Sequence, residues 1–114
     1  MDVIEQAAKA LEPLAEIGVP VQQGWYDEKL KKTHITLWNL SDSDAAASDD
    51  IPETEDAYLQ VNIWAAYDAI DIKKRAKQLL QQAGFLYEDG QDVQETPEIY
   101  NKAMRFYKIA ETEE

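Results

Sequence analysis

The sequence YNKAMRFYKI at residues 100–109 alternates cationic or small side chains with aromatic and aliphatic ones. This two-residue period is typical of a β-strand, in which successive side chains point to opposite faces of a sheet. No residue in the segment suggests catalysis. Because aromatic residues fall on both faces, we expect a strand that buries one face and offers the other to a partner.

The segments before this strand predict the order helix, strand, strand, long loop, strand, helix, strand, strand. We expect Asp2 to cap the first helix, Pro13 to end or kink it near Leu11, and Gly18 to close the segment. We expect Asp71 to cap the second helix and Gly84 to end it. The dipeptide Asp89-Gly90 predicts a turn. The expected strands lie at 19–26, 33–40 and 57–66, with two more starting at Phe85 and near residue 99. The fold class is therefore α+β, with a mixed or antiparallel sheet of about four to five strands packed with two helices.

The apolar side of each predicted element should form one core. The residues expected there are Val3, Ile4, Leu11, Leu37, Leu59, Val61, Ile63, Ile72, Leu79 and Leu80. We expect residues 1–114 to form a single domain that ends in a frayed tail at 111–114.

The composition suits a folded protein without disulfides. The 114 residues are 45% hydrophobic and include no cysteine, which excludes a disulfide framework or a thiolate metal site. The acidic start does not resemble a signal peptide, and no apolar run approaches the ~20 residues needed to cross a bilayer. A net charge of −12 makes the chain a poor candidate for binding nucleic acid. That charge serves solubility, or it provides a surface that repels DNA or meets a basic partner.

Residues 41–56 form a long polar connection with seven acidic and no basic side chains. A calcium loop is not expected, because Asp42 and Asp44 match only the first positions of an EF-hand and no glycine follows them. Loops longer than ~12–15 residues are usually functional or disordered. We therefore predict a flexible hairpin tip that a partner orders, with Asp49 and Asp50 as contact residues.

Three aromatic residues lie opposite the aliphatic face of their predicted strands: Trp38, Tyr58 and Trp64. Tryptophan and tyrosine are favoured anchors of protein interfaces. If the helices cover the aliphatic face, these three side chains lie on the other face and contact a subunit or a partner. The alternative is that the sheet is covered on both faces within one subunit.

One basic run occurs on the second helix, at Lys73, Lys74, Arg75 and Lys77. Such a run commonly solvates a helix face. In so acidic a chain we favour a contact between subunits, in which Lys73, Lys74 and Lys77 face the acidic loop of the next copy.

No constellation in the sequence points to an enzyme or a cofactor. His34 is the only histidine and has no nucleophile or carboxylate at a spacing that predicts catalysis. The four glycines are isolated, so there is no phosphate-binding loop. We expect no catalytic residue, metal or cofactor.

The whole pattern resembles the tail-completion, or tail-terminator, proteins of long-tailed bacteriophages and prophages. The resemblance begins with the first helix, which ends near 11–14, and the strands VPV at 19–21, THITLWNL at 33–40 and AYLQVNIWA at 57–65. It continues with the helix IKKRAKQLLQQAGF at 72–85. It ends with Glu95-Thr96-Pro97, which lead into a last strand that ends in Arg105-Phe106. It spans nearly the whole chain and consists of element patterns, without a catalytic signature.

The resemblance implies a structural virion protein. Such proteins form a ring, commonly of six copies, at the head-proximal end of the tail, where they stop polymerisation of the tail tube and join the tail to the head. The partners implied are further copies of the chain, the tail-tube protein and the head-connector protein, with no membrane involved. DNA passes through the ring without specific binding, and an acidic chain suits that passage. The implied location is the virion neck, and the host cytoplasm during assembly. The resemblance assigns a structural position only to Arg105 and Phe106, as parts of the last strand.

Two other functions fit the sequence as well. A head-closure or head–tail connector protein would occupy a neighbouring position in the same neck. An acidic DNA-mimic module would bind the DNA site of another protein through its excess of carboxylates, although here the acids are concentrated in loops.

Overall fold

The described part of the chain contains three helices and one five-stranded mixed sheet. The computed structural model describes residues 3–24, 27, 32–40 and 54–111, with the backbone alone at 54–56 and 109–111. The elements are α1 (Val3–Ala10), α2 (Glu12–Glu16), β1 (Val21–Gln23), β2 (His34–Asn39), β3 (Thr54–Ala65), α3 (Ile70–Gln82), β4 (Leu86–Thr96) and β5 (Ile99–Glu111). The predicted α+β class is confirmed.

The sheet order is β1-β2-β3-β5-β4, so the strand containing residues 100–109 is an inner one. β5 pairs antiparallel with β3 from Thr54↔Glu111 to Ala65↔Tyr100, and it pairs antiparallel with β4 on its other side. β2 pairs antiparallel with β3, whereas β1 and β2 are parallel. Along this strand Met104 and Phe106 lie on the face that packs under the helices, and Arg105 and Tyr107 lie on the other face.

Pro13 divides the predicted first helix into α1 and α2. α1 ends at Ala10, and α2 begins at Glu12 with proline in its first positions. Proline has no N–H to donate within a helix but suits the first turn, where that donor is not needed. Gly18 then closes the segment with a φ of +99°, a backbone conformation that costs glycine little.

The predicted start of α3 differs from the observed one. Ala69 occupies the N-cap position without a side-chain hydrogen bond, and Asp71 lies in the first turn, where its Oδ1 accepts from the N–H of Ile72 at 2.9 Å. The Asp71 carboxylate still interacts favourably with the positive end of the helix dipole. Gly84, with a φ of +98°, follows the helix as predicted.

The turn predicted at Asp89-Gly90 is wrong, because β4 continues through these residues to Thr96. The pairing with β5 instead shifts between Tyr87 and Asp89, which marks a β-bulge. Gly90 lies beside the Tyr87 hydroxyl, and a Cβ at this position would force the tyrosine side chain to shift. The hairpin to β5 turns at residues 97–98.

Two other boundaries were misplaced. The connection expected at 41–56 gives way to β3 at Thr54, and the tail expected to fray from residue 111 includes the last residue of β5, Glu111. The rest of that loop, 41–53, and residues 112–114 lie outside the described part of the chain, as does the capping residue Asp2.

One face of the sheet packs under the helices and forms the core. Of the predicted core residues, eight are buried and two, Ile4 and Ile72, are partly buried against the same cluster. The core also takes in large side chains outside that list, namely Leu14, Ile35, Phe85, Met104 and Phe106. Since these residues come from every layer, the helices and the sheet share a single apolar core.

Candidate interaction surface

The face of the sheet that points away from the helices carries exposed side chains at one end of the strands and buried ones at the other. Strand register places its side chains in rows that run across the sheet. One row joins Leu40, Tyr58, Tyr107 and Leu86, because Tyr58 pairs with Tyr107, Tyr107 pairs with Leu86, and the N–H of Leu40 donates to the Tyr58 carbonyl. We call this set of four the apolar row.

The apolar row is largely open to solvent. Leu40 is 38% exposed, Tyr58 37% and Leu86 47%, and the Tyr58 and Tyr107 rings pack at a centroid distance of 6.0 Å. A shallow cavity of about 490 Å³ is lined by these two tyrosines together with Tyr87 and Glu88. Three strands and the residue that follows β2 thus present adjoining apolar side chains to solvent at one end of the sheet.

The next row is polar but carries no net charge. It joins Trp38, Gln60, Arg105 and Asp89, which we call the neutral row. Trp38 is 48% exposed. The Arg105 guanidinium donates to both Asp89 carboxylate oxygens, from Nε at 2.8 Å and from Nη2 at 2.6 Å. These hydrogen bonds lower the pKa of Asp89 and raise the pKa of Arg105. Both groups therefore stay ionised and cancel each other.

Trp64 lies at the opposite, buried end of this face. It is 3% exposed, and its Nε1–H donates to the Thr36 hydroxyl oxygen at 2.9 Å. A side chain this enclosed offers no surface to a partner. The structure therefore assigns Trp64 to the interior of the subunit, whereas Trp38 and Tyr58 keep the exposure that an interface residue needs.

A polar network holds the buried end together. Asn62 donates from Nδ2 to the Asn101 side-chain oxygen at 2.8 Å, and Asn101 donates to a Glu95 carboxylate oxygen at 3.2 Å. Gln60 reaches into the network by donating to the Asn62 oxygen at 2.9 Å. Buried amides that are satisfied in this way fix the relative positions of β3 and β5.

The histidine belongs to the same buried end and is only 1% exposed. His34 Nε2 accepts from the N–H of Asp27 at 3.4 Å, and Nδ1 lies 2.7 Å from the carbonyl oxygen of Lys32. Both ring nitrogens thus contact backbone groups of the segment between β1 and β2. The side chain thus joins the backbone at Asp27 and Lys32 to β2.

The basic run on α3 is partly used within the subunit. Lys73 pairs with Asp92 of β4 at 2.8 Å, and the Lys77 ammonium lies 3.9 Å from the centroid of the Tyr87 ring. Lys74 is exposed on the same helix. Two of the three predicted contact lysines thus hold α3 against β4. Asp49 and Asp50, their predicted partners in the next copy, lie outside the described residues.

A buried lysine that sequence reasoning missed completes this charge cluster. Lys102 is 4% exposed and contacts Asp68 at 2.5 Å and Asp92 at 3.0 Å. Burial works to lower the pKa of Lys102, but the hydrogen bonds and charges of the two aspartates outweigh it and raise that pKa. The pKa of Asp92 is lowered, first by the hydrogen bond from Lys73 and then by Lys102, against the effect of its burial. The cluster joins α3, β4 and β5.

In residues 3–24, 27, 32–40 and 54–111, no group of three or more histidine, aspartate or glutamate side chains is placed to hold a metal ion. The helices of those ranges include none with the length and apolar character needed to cross a membrane.

The comparison with known proteins leaves the family open. The sequence matches no protein-family model, and no curated protein matches it at a significant level.

Proposed function

We propose that this protein is a structural subunit of a phage tail, a tail-completion protein that forms a ring at the head-proximal end of the tail tube. In this role it ends polymerisation of the tube and joins the tail to the head. It acts without catalysis and without a cofactor, through contacts with its own copies, with the tail-tube protein and with the head connector.

The observation that carries the proposal is the exposed apolar row beside Trp38. Leu40, Tyr58 and Leu86 are each more than a third exposed on one sheet face. Contiguous apolar surface of this kind is characteristic of interfaces, where aromatic residues are enriched at the centre. A subunit of a larger assembly needs such a surface, and in this chain it lies on rigid strands.

The charge of the chain is consistent with the same role. A ring through which DNA passes should not bind the DNA, and a net charge of −12 opposes binding to phosphates. A head-closure or connector protein of the same neck would need the same two properties, so it remains the neighbouring alternative.

The alternative of a DNA mimic receives less support. A mimic needs carboxylates that are free to meet a basic partner. Asp89 is instead paired with Arg105, and Asp92 is paired with both Lys73 and Lys102. Two acids of β4 are thus already paired with cations within the subunit.

Tube growth provides the test. The tail-tube protein from the same genome would be polymerised alone and with a molar excess of this protein, and tube lengths would be measured by negative-stain microscopy. We expect shorter tubes that carry a ring at one end. Trp38→Ala should weaken the effect, whereas Gln82→Ala, a change at an exposed position of α3 outside every predicted contact, serves as the control. Unchanged tube lengths together with an absence of end-bound rings would refute the proposal.

A further inference from the structure

The shallow cavity at the apolar row is lined by residues of β3, β4 and β5, and we call it the tyrosine cavity. Its lining consists of Tyr58, Tyr87, Glu88 and Tyr107. We propose that this cavity binds a cationic side chain of a partner protein, the guanidinium of an arginine or the ammonium of a lysine. The inference concerns the chemistry of the cavity, so it goes beyond the tail role proposed above and can hold or fail independently of it.

Three of the four lining residues are tyrosines, and two of their rings are accessible. The rings of Tyr58 and Tyr107 have centroids 6.0 Å apart and planes tilted by 34°, so they do not close against each other in a parallel stack. Tyr58 is exposed and Tyr107 is partly exposed, so solvent reaches both side chains. The face of an aromatic ring carries negative potential and attracts a cation that lies within about 6 Å of its centroid.

The third tyrosine already accepts a cation from the chain itself. The Lys77 ammonium of α3 lies 3.9 Å from the centroid of the Tyr87 ring, on the helical side of the sheet. Within the described ranges, no lysine or arginine of the chain lies over the Tyr58 or Tyr107 ring in this way. These two rings are therefore left for a cation from outside the subunit.

Glu88 adds a formal negative charge to the wall of the cavity. It is exposed and lies in the bulge between Tyr87 and Asp89. The Arg105 guanidinium makes its bidentate ion pair with Asp89, and Glu88 contributes only the last and smallest of the effects on the pKa of Arg105. Among the described residues the lining includes no lysine or arginine. An entering cation therefore meets a carboxylate and tyrosine rings, beside an ion pair that is neutral overall.

The charge around the cavity selects a cation over other occupants. The chain has a net charge of −12, and Leu40 of the apolar row is followed in the sequence by 41–56, which carry seven acidic and no basic residues. This charge repels an anion and raises the local concentration of cations. A neutral apolar group would cover Glu88 without giving its carboxylate a partner, which costs free energy.

The surroundings of the cavity favour a side chain over a free ion. Arginine and lysine carry their charge on an apolar stem. Leu86 pairs with Tyr107 and is 47% exposed, so apolar surface adjoins the cavity where such a stem would lie. A single cationic group at an exposed site binds weakly, and the rest of the apolar row supplies the contacts by which a partner adds affinity.

An NMR titration of the full chain with blocked amino acids tests the inference. The probes are N-acetyl-arginine amide, N-acetyl-lysine amide and N-acetyl-citrulline amide, the last having the shape of arginine without its charge. We expect the two cations to shift the Tyr58 and Tyr107 ring resonances with saturation at millimolar concentration, and citrulline to bind at least ~5-fold more weakly. The tighter of the two cations identifies the group that the partner carries. Equal binding of citrulline and arginine, or shifts at many acidic residues without saturation at the tyrosines, would overturn the proposal.

Two matched pairs of variants locate the site. Glu88→Gln removes the carboxylate from the wall, and Glu98→Gln makes the same change of charge at the other end of the β4–β5 hairpin. Tyr58→Leu keeps an apolar side chain but removes the aromatic ring, and Tyr67→Leu does so at a 48% exposed position outside the cavity. We expect the first member of each pair to weaken arginine binding ~2–5-fold and the second to change it less than ~1.5-fold. Equal effects within both pairs would contradict the site.

Two further readouts keep the test independent of folding and of the tail role. Circular dichroism melting checks each variant, and the exposed Glu88→Gln carries the test alone if Tyr58→Leu unfolds early. Arginine binding at the cavity by a protein that has no effect on tail tubes would support the site and count against the proposed function. End-bound rings from a protein that binds none of the cationic probes would do the reverse.

Discussion

Replacing each of the two tryptophans on the same sheet face should affect stability very differently. Trp64 is 3% exposed and donates a hydrogen bond to Thr36, whereas Trp38 is 48% exposed. Truncating a buried tryptophan to alanine typically costs about 3–5 kcal/mol, through lost burial and the cavity left behind. At Trp38 the space left by the side chain opens to water, so no cavity forms and we expect a cost of about 1–2 kcal/mol.

Urea unfolding followed by circular dichroism measures this difference. With an m-value of about 1.5 kcal/mol/M, the loss at Trp64→Ala corresponds to a midpoint lowered by roughly 2–3 M. Trp38→Ala should lower the midpoint by about 1 M. Samples dilute enough to be monomeric keep association out of the comparison.

A double-mutant cycle isolates the hydrogen bond. Trp64→Phe retains an aromatic ring but removes the donor, and Thr36→Val removes the acceptor. We expect a coupling free energy of about 1 kcal/mol between the two changes. Equal midpoint shifts for the two alanine variants, or a Trp64→Ala protein of full stability that fails only to associate, would refute the assignment of Trp64 to the interior.

Three further changes address β4 and its contacts. Lys102→Met should lower the free energy of unfolding by about 1–3 kcal/mol in a thermal melt, because two carboxylates lose the ammonium between them; an unchanged melting temperature would contradict this. The lowered pKa of Asp92 means that its contribution is present above the unfolded pKa and is lost as pH falls through the folded one. Asp92→Asn should therefore reduce the change in the free energy of unfolding between about pH 5 and pH 2, by no more than about 1 kcal/mol because the carboxylate is half exposed. Urea unfolding at a series of acidic pH values measures this difference. Gly90→Ala should cost about 1–3 kcal/mol, with part of the loss recovered by adding Tyr87→Phe, which removes the hydroxyl that the new Cβ would meet; equal melting temperatures for the single and double variants would contradict this mechanism.

Local signals in the sequence were enough to predict the order of elements. Pro13 has no N–H to continue the hydrogen bonds of α1, so a new helix, α2, begins beside it. Gly84 supplies the left-handed backbone conformation that follows α3. The regular alternation at 100–109 follows the two faces of β5. Each of these signals depends on a few neighbouring residues, so the sequence alone carries it.

The errors arose where a distant residue determines the outcome. The dipeptide Asp89-Gly90 favours a turn, but both residues pair with β5, opposite Arg105 and Met104. No contact was predicted for Lys102, yet it pairs with Asp68, which comes from the segment before α3. No local pattern reports which side chain will be folded against such a position.

The two tryptophans illustrate the same limit for the candidate site. Trp38 and Trp64 occupy equivalent faces of neighbouring strands, and the alternation of their strands gives both the same prediction. Their burial differs because rows at one end of the face are enclosed and rows at the other are not. The sequence could identify the face but not the end of it that remains exposed.

The division of this face explains how one sheet can be both a stable scaffold and a contact surface. At the buried end, His34 joins the backbone at Asp27 and Lys32 to β2, and the Asn62–Asn101 bond joins β3 to β5. β3 and β5 then continue without interruption past the apolar row, with their backbones hydrogen-bonded to each other from end to end. The exposed side chains are therefore held on paired strands that are anchored elsewhere, so a partner need not order them on binding. Pre-organisation of this kind lowers the entropic cost of association, which matters most for a surface as small as these two rows.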